Sequence, residues 1–321
     1  MEPSFVDRED ELAELTRLAL HGYYPVLYLY GPEGCGKTRL LKELALRLSR
    51  EGHVAIYIDA QSTRRPTDTI QAPPEIVKAI VDAIAHQAGP AGKLIALAIT
   101  SLAKWLSRER VKGPSIVMLV DDIARPIGLD QVEAYAKDLL NLVEELYSLE
   151  AKSVLVLAST SEGRSRLLLA RHSYVRLREL WSLSREAMEA LLSQLKAPKE
   201  LSDDPWKVTG GNPRAVIDLW RRGWNVHGWL RELEVNVKAL LSTIDKSLLK
   251  PLKAVVEDPD RLVEEHSLRD LLIDANLIAP IDRPCLGYTP PQDPELGIGS
   301  FYAWQLPAYK LIVDKYLTSL L

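Results

Sequence analysis

Hydrophobic positions in this chain of 321 residues follow one pattern up to residue 178 and another beyond it. In the first part, short unbroken apolar runs alternate with stretches of helical spacing. The runs are VLYLY before Gly31, His53–Asp59 (HVAIYID), Ser115–Asp122 (SIVMLVDD), Ser153–Ser159 (SVLVLAS) and a last one near Tyr174–Leu177. Unbroken apolar runs of this length suit strands covered on both faces, and strands alternating with helices predict a parallel α/β sheet with crossover helices. Between the runs, Thr38–Ser49 carries leucines at 40, 41, 44, 46 and 48 and closes at Gly52, and Asp130–Leu149 reads as a long amphipathic helix. Phe5–Leu15 reads as an extended piece followed by a helix with Asp7 as its N-cap. Arg64–Pro74 reads as loop, and Glu75–Arg110 as two apolar-rich helices broken at Gly89-Pro90.

From Glu179 onward the spacing is helical only. SLSREAMEALLSQL has Ser182 or Ser184 as its cap, and a break at Pro198–Pro205 leads into VTGGNPRAVIDLWRRG, where a helix starts at Gly210–Pro213. A helix is expected from Ala239 to Val256, a short one around Arg261 and another from Ser267 to Leu277. Extended Pro/Gly-rich pieces follow to Leu306, then a final helix. Helices, a hairpin-like stretch and a terminal helix suggest a winged helix. The expected division is an α/β core at 1–178, a helical lid at 179–239 and a winged-helix-like domain at 240–321.

The candidate chemistry begins where the first run breaks. Gly31, Gly34, Gly36, Lys37 and Thr38 in GPEGCGKT satisfy G-x-x-x-x-G-K-[ST] between a strand and a helix, which is the context a phosphate-binding loop demands. Glycines let the backbone N–H groups approach a phosphate, the helix N-terminus adds its positive dipole end, Lys37 would neutralise β/γ oxygens and Thr38 would offer a hydroxyl to Mg²⁺. The expected nucleotide-binding residues are Gly31, Pro32, Glu33, Gly34, Cys35, Gly36, Lys37, Thr38 and Arg39. SIVMLVDD fits a second nucleotide motif: Asp121 would hold the Mg²⁺ shell and Asp122 would orient or deprotonate the attacking water. Taken alone, a strand ending in two aspartates is also an ordinary solvated turn. Thr160 and Ser161, after the next run, could bond a γ-phosphate or simply form a turn. Arg214, at a helix start, points either at a ligand or at solvent.

Composition narrows the setting. With 47% hydrophobic and 26% charged residues the chain reads as globular, with two or three domains. Two cysteines, Cys35 and Cys285, form no disulfide framework, which fits a reducing cytoplasm. The longest apolar run, Leu94–Leu106, is interrupted by Lys104 and too short to span a bilayer, so no membrane association is expected.

The order FVDREDEL, GPEGCGKT, SIVMLVDD, VLVLASTSEG and GGNPRAV, with a winged-helix-like tail, resembles the archaeal P-loop ATPases of the AAA+-related STAND class. The resemblance covers nearly the whole chain. It implies an ATPase core, a helical lid and a winged helix closing over ATP or ADP with Mg²⁺. It also implies site roles: the Phe5–Glu9 segment, with Phe5 and Val6, near the adenine, Thr160 as γ-phosphate sensor, Pro213 and Arg214 as lid contacts, and Arg171 as the candidate trans-acting arginine.

Two function classes follow. One is a nucleotide-dependent switch whose winged helix docks a protein partner. The other is a DNA-handling ATPase similar to origin-recognition initiators. From Leu240 to Leu321 there are 8 Lys and Arg against 12 Asp and Glu, so the tail carries a net charge of −4 and the remainder is neutral. The expected recognition helix, SLRDLLIDANL, sets Arg269 against Asp270 and Asp274, a poor surface for DNA phosphates. Charge therefore favours the switch, and self-association stays open.

Overall fold

The computed structural model describes residues 3–59, 70–71, 74, 77, 102, 104–105, 113–122, 128–148, 150–161, 163–201 and 203–320. Most of the helical pair expected at 75–110, and most of the loop expected before it, lie outside the described residues. Contacts divide the chain into two compact units. One comprises Arg8–Tyr30 and Lys37–Arg178; the other comprises Met1–Asp7, Gly31–Gly36 and Glu179–Leu321.

The first unit is built on the apolar runs. β1 (Val26–Tyr30), β2 (Val54–Asp59), β3 (Ile70–Gln71), β4 (Ser115–Asp121), β5 (Ser153–Ser159) and β6 (Val175–Glu179) form one sheet in the order β3-β2-β4-β5-β1-β6. The long strands pair in parallel: β2 with β4, β4 with β5, β5 with β1. Every residue of β1, β4 and β5 is buried, as an apolar run without alternation requires. The exception to parallel pairing is β3, two residues antiparallel to β2 in a stretch whose prolines and polar residues read as loop.

One face of the sheet, including Ile56, Met118, Val156 and Tyr28, packs with Leu139, Val143 and Leu146 of α3 (Val132–Ser148). Of the remaining helices, α1 (Glu9–His21) and α2 (Lys37–Arg50) bury leucine stripes, and α4 (Gly163–Leu169) follows β5. Asp7 does not cap α1. The cap position falls on Arg8, at φ 76°, with no side-chain bond to the helix. Arg8 instead forms a buried ion pair with Glu11 at 2.6 Å, and the acidic first turn meets the helix dipole.

The second unit is mainly helical: α5 (Arg185–Gln194), α6 (Pro205–Thr209), α7 (Pro213–Arg221), α8 (Val226–Leu241), α9 (Leu249–Glu257), α10 (His266–Asp274) and α11 (Pro307–Leu320), with β7 (Ile278–Pro280) antiparallel to β8 (Tyr302–Trp304). Ser184, Asp204, Asn212 and Asn225 cap the first four with side-chain oxygens. The helix expected from Ala239 to Val256 is two. The hydroxyls of Ser242 and Thr243 bond back to the carbonyls of Ala239 and Leu240, and Asp245 caps a separate 3₁₀ turn, so local side-chain bonds end α8 at Leu241. A core of Leu252, Val255, Leu268, Leu272, Trp304 and Val313 joins α9, α10, β8 and α11. Between β7 and β8 the chain is strapped by polar bonds. The Asp260 carboxylate accepts the backbone N–H groups of Ser300, Phe301 and Tyr302, while Arg283 donates to the carbonyls of Pro290 and Gly299. Both cysteines are buried, and they form no disulfide with each other. Among the described residues, no helix is long and apolar enough to cross a membrane.

Candidate functional site

In the sheet unit, register decides which residues meet. Asp59 of β2 pairs with Asp121 of β4, Leu119 of β4 with Leu157 of β5, and Leu29 of β1 with Ser159 of β5. Successive side chains alternate between faces, so Tyr57, Asp59, Asp121 and Ser159 all belong to one face at the C-terminal edge of the parallel strands. Their side chains make a network there. Asp121 is buried, its Oδ2 accepting from Tyr57 Oη at 2.9 Å and its Oδ1 from Ser159 Oγ at 2.5 Å. Ser159 Oγ also accepts the backbone N–H of Asp122 at 2.9 Å.

Burial, and then the adjoining Asp121 carboxylate, push the Tyr57 phenol far above its ordinary pKa. Tyr57 is therefore the fixed donor of this pair. Asp122 turns out of the strand at φ 49°, a left-handed conformation that aspartate tolerates better than most residues. Thr160 is fully buried; its N–H donates to Leu29 O at 3.0 Å, and its Oγ1 lies 2.5 Å from Ser165 Oγ on α4. Lys37 is buried at the start of α2, whereas Thr38 and Arg39 are exposed beside it. Arg171 sits exposed in the turn ahead of β6.

The glycine loop leaves β1 at Tyr30 and enters α2 at Lys37. Its residues 31–36 belong to the helical unit, and two of its glycines show why. A Cβ on Gly31 would stand 2.0 Å from the Leu180 carbonyl oxygen, and one on Gly34, at φ 84°, would stand 2.7 Å from Arg214 Cβ. Only glycine fits either approach. Asn212 Nδ2 donates to Glu33 O at 2.8 Å, Arg214 Nη1 pairs with Glu33 Oε1 at 2.7 Å, and the Arg214 N–H donates to Gly34 O at 3.3 Å. Pro213 occupies the first turn of α7, where its missing N–H costs nothing. Cys35 and Pro32 are buried in the same loop. Val6 packs on the cluster of Leu183, Met188, Leu191 and Val216, with Phe5 half-buried next to it.

The donor set suits a magnesium–nucleotide complex. Mg²⁺ takes oxygen ligands, keeps several waters and is held by one or two carboxylates plus substrate phosphates. The Thr38 hydroxyl and the Asp121 carboxylate are such oxygens. Among the described residues no group of three or more His, Cys, Asp or Glu forms an all-protein metal cage.

Tyr57 and Ser159 did not stand out in the sequence. Both lie inside apolar runs, and only the register across three strands aims them at Asp121. Asn276 and Gln305, which also reach Glu33, carry no sequence motif at all.

Solved structures similar to this chain include DnaA from Aquifex aeolicus bound to AMPPCP, at 20% identity over 84% of this chain and 85% of that one, with a TM-score of 0.41. Another is the replication initiator DnaA bound to AMPPCP and single-stranded DNA, at 17% identity over 84% and 85% of the two chains, with a TM-score of 0.42. No curated protein sequence matches the chain. The profile of an ATPase domain predominantly from Archaea matches residues 5–219, about two thirds of the sequence, and the chain belongs to that family of ATPases.

Proposed function

We propose that this ATPase hydrolyses Mg·ATP slowly and works as a nucleotide-dependent switch of the STAND kind. In this reading residues 1–178 are the nucleotide core, 179–239 the lid, and 240–321 a winged helix that docks a protein partner. The observation that carries the catalytic part is the carboxylate network: Asp121, fixed by Tyr57 and Ser159, stands at the sheet edge where β1 gives way to the glycine loop. Ligands of parallel α/β sheets bind at the carboxyl ends of the strands.

The roles follow from chemistry. Backbone N–H groups of residues 34–38 and Lys37 would bind the β- and γ-phosphates, with Thr38 and Asp121 supplying oxygen to the metal shell. Asp122 would orient the attacking water, Thr160 would sense the γ-phosphate, and Arg214 would exchange Glu33 for it. Phe5 and Val6 would face the adenine. ADP should then bind with fewer of these contacts than ATP, which is the differential a switch requires.

The switch reading rests on the C-terminal charges. Arg269 pairs with Asp270 at 3.2 Å, and Arg283 is taken up by loop carbonyls, so the two arginines nearest the expected recognition surface are engaged within the protein. The test is turnover and binding of Mg·ATP by two variants. Asp122→Asn should bind Mg·ATP as the wild type does yet turn it over at least about a hundredfold more slowly, whereas Asp121→Asn should raise the Mg²⁺ concentration needed for half-maximal activity. Normal turnover by Asp122→Asn would assign the water to another residue.

A further inference from the structure

We infer that Asn276 and Gln305 are positioning residues for the phosphate loop, holding it through Glu33 and thereby tying nucleotide affinity to the C-terminal part of the chain. The inference rests on the reading that the loop binds nucleotide. Glu33 occupies one of the variable positions of the glycine motif, where no particular side chain is required. Yet every polar group of this residue is gripped. Its N–H donates to Gln305 Oε1 at 3.0 Å, its carbonyl accepts from Asn212 at 2.8 Å, and its carboxylate accepts from Arg214 at 2.7 Å and from Asn276 Nδ2 at 3.3 Å. Gln305 Nε2 in turn donates to Asn276 Oδ1 at 2.6 Å.

The two amides act as a preformed pair. Asn276 lies just ahead of β7 and Gln305 directly follows β8. The ladder pairs Ile278 with Trp304, and Gln305 N–H donates to Leu277 O at 2.9 Å, which fixes the spacing between the two side chains. Asn276 adopts φ 56°, a left-handed conformation that favours asparagine, and Gln305 is only 5% exposed. A buried amide must find partners, so releasing Glu33 would leave Gln305 Oε1 unsatisfied. Any movement of the β7–β8 pair therefore changes how firmly Glu33, and with it the loop, is held. Linkage makes the effect mutual: nucleotide on the loop must stabilise the β7–β8 pair by the same factor by which that pair favours nucleotide.

The test uses the full chain, with fluorescent ADP and a non-hydrolysable ATP analogue as probes. Asn276→Asp keeps the size and the backbone preference but sets a carboxylate against Glu33, and Gln305→Ala removes the acceptor of the Glu33 N–H. Each should weaken binding of both nucleotides roughly tenfold, the effect of losing one or two buried hydrogen bonds. The swap Glu33→Gln with Asn276→Asp restores a donor–acceptor pair of opposite direction, and affinity should return to within about threefold of the wild type. In the wild type, ADP should slow hydrogen exchange at the amide of Gln305 and its neighbours. Wild-type affinity in both single variants, or unchanged exchange at Gln305 on ADP binding, overturns the inference, and so does a swap that binds no better than Asn276→Asp. Lys37→Ala separates the two levels: if it binds nucleotide normally the phosphate-loop reading itself fails, whereas loss of binding there alongside normal binding in the amide variants defeats this inference alone.

Discussion

Tyr57 illustrates how a residue inside a strand becomes part of a candidate site. Its phenol is held protonated by burial and by Asp121, so it donates one hydrogen bond to a carboxylate that would otherwise be half-satisfied in a buried position. Tyr57→Phe removes that donor while keeping the ring, beside which Lys42 Nζ lies 5.3 Å from the ring centroid. Leaving a buried carboxylate oxygen without its donor costs about 1–3 kcal/mol. Two results are therefore expected: lower stability in urea by that amount, and a several-fold rise in the Mg²⁺ needed for turnover as Asp121 gains rotational freedom. A denaturation series and a Mg²⁺ titration of ATP hydrolysis check both; unchanged Mg²⁺ dependence would make Tyr57 a packing residue only.

At the scale of elements, α7 begins where the loop is held. Asn212 serves two ends at once, capping the helix through Oδ1 on the Ala215 N–H at 3.2 Å and donating through Nδ2 to the Glu33 carbonyl. Asn212→Ala should therefore cost more than a surface cap, about 1–2 kcal/mol for the cap and a further loss in nucleotide affinity. Asn212→Asp, which keeps the cap and removes the donor, should recover stability without recovering affinity. Melting curves paired with nucleotide titrations distinguish the two contributions.

These elements also mark how far the sequence was legible. The long strands could be read because a strand buried on both faces has no choice but to be apolar throughout, and α2 because its leucines recur with the helical turn. Strand order could not be read, since apolar runs are interchangeable until hydrogen-bond register selects neighbours; with it went the meeting of Tyr57, Asp121 and Ser159. The split at Ser242–Asp245 was missed because short side-chain bonds to the backbone leave no trace in hydrophobic spacing. The hold on Glu33 joins residues more than 170 positions apart through bonds that no local pattern announces.

For the molecule as a whole, charge constrains what the protein can act on. The C-terminal 82 residues carry the whole net charge of −4, and their three arginines are already paired or tied to carbonyls. Specific duplex binding requires several phosphates to be neutralised, with affinity falling by about 0.9 log units per log unit of salt for each. The full chain with ATP and Mg²⁺ should accordingly show no submicromolar binding to duplex DNA at physiological salt in a fluorescence-anisotropy titration. Tight binding that Arg269→Ala and Arg283→Ala weaken would favour the initiator-like role instead. The central claim is that the loop at Gly31–Thr38 binds and turns over ATP, and one measurement tests it most directly: ATP hydrolysis and nucleotide binding by the full chain beside its Lys37→Ala variant. The account predicts that the wild type binds Mg·ATP and releases phosphate, and that Lys37→Ala, folded to the same melting temperature, does neither. Equal phosphate release by the two proteins would contradict it.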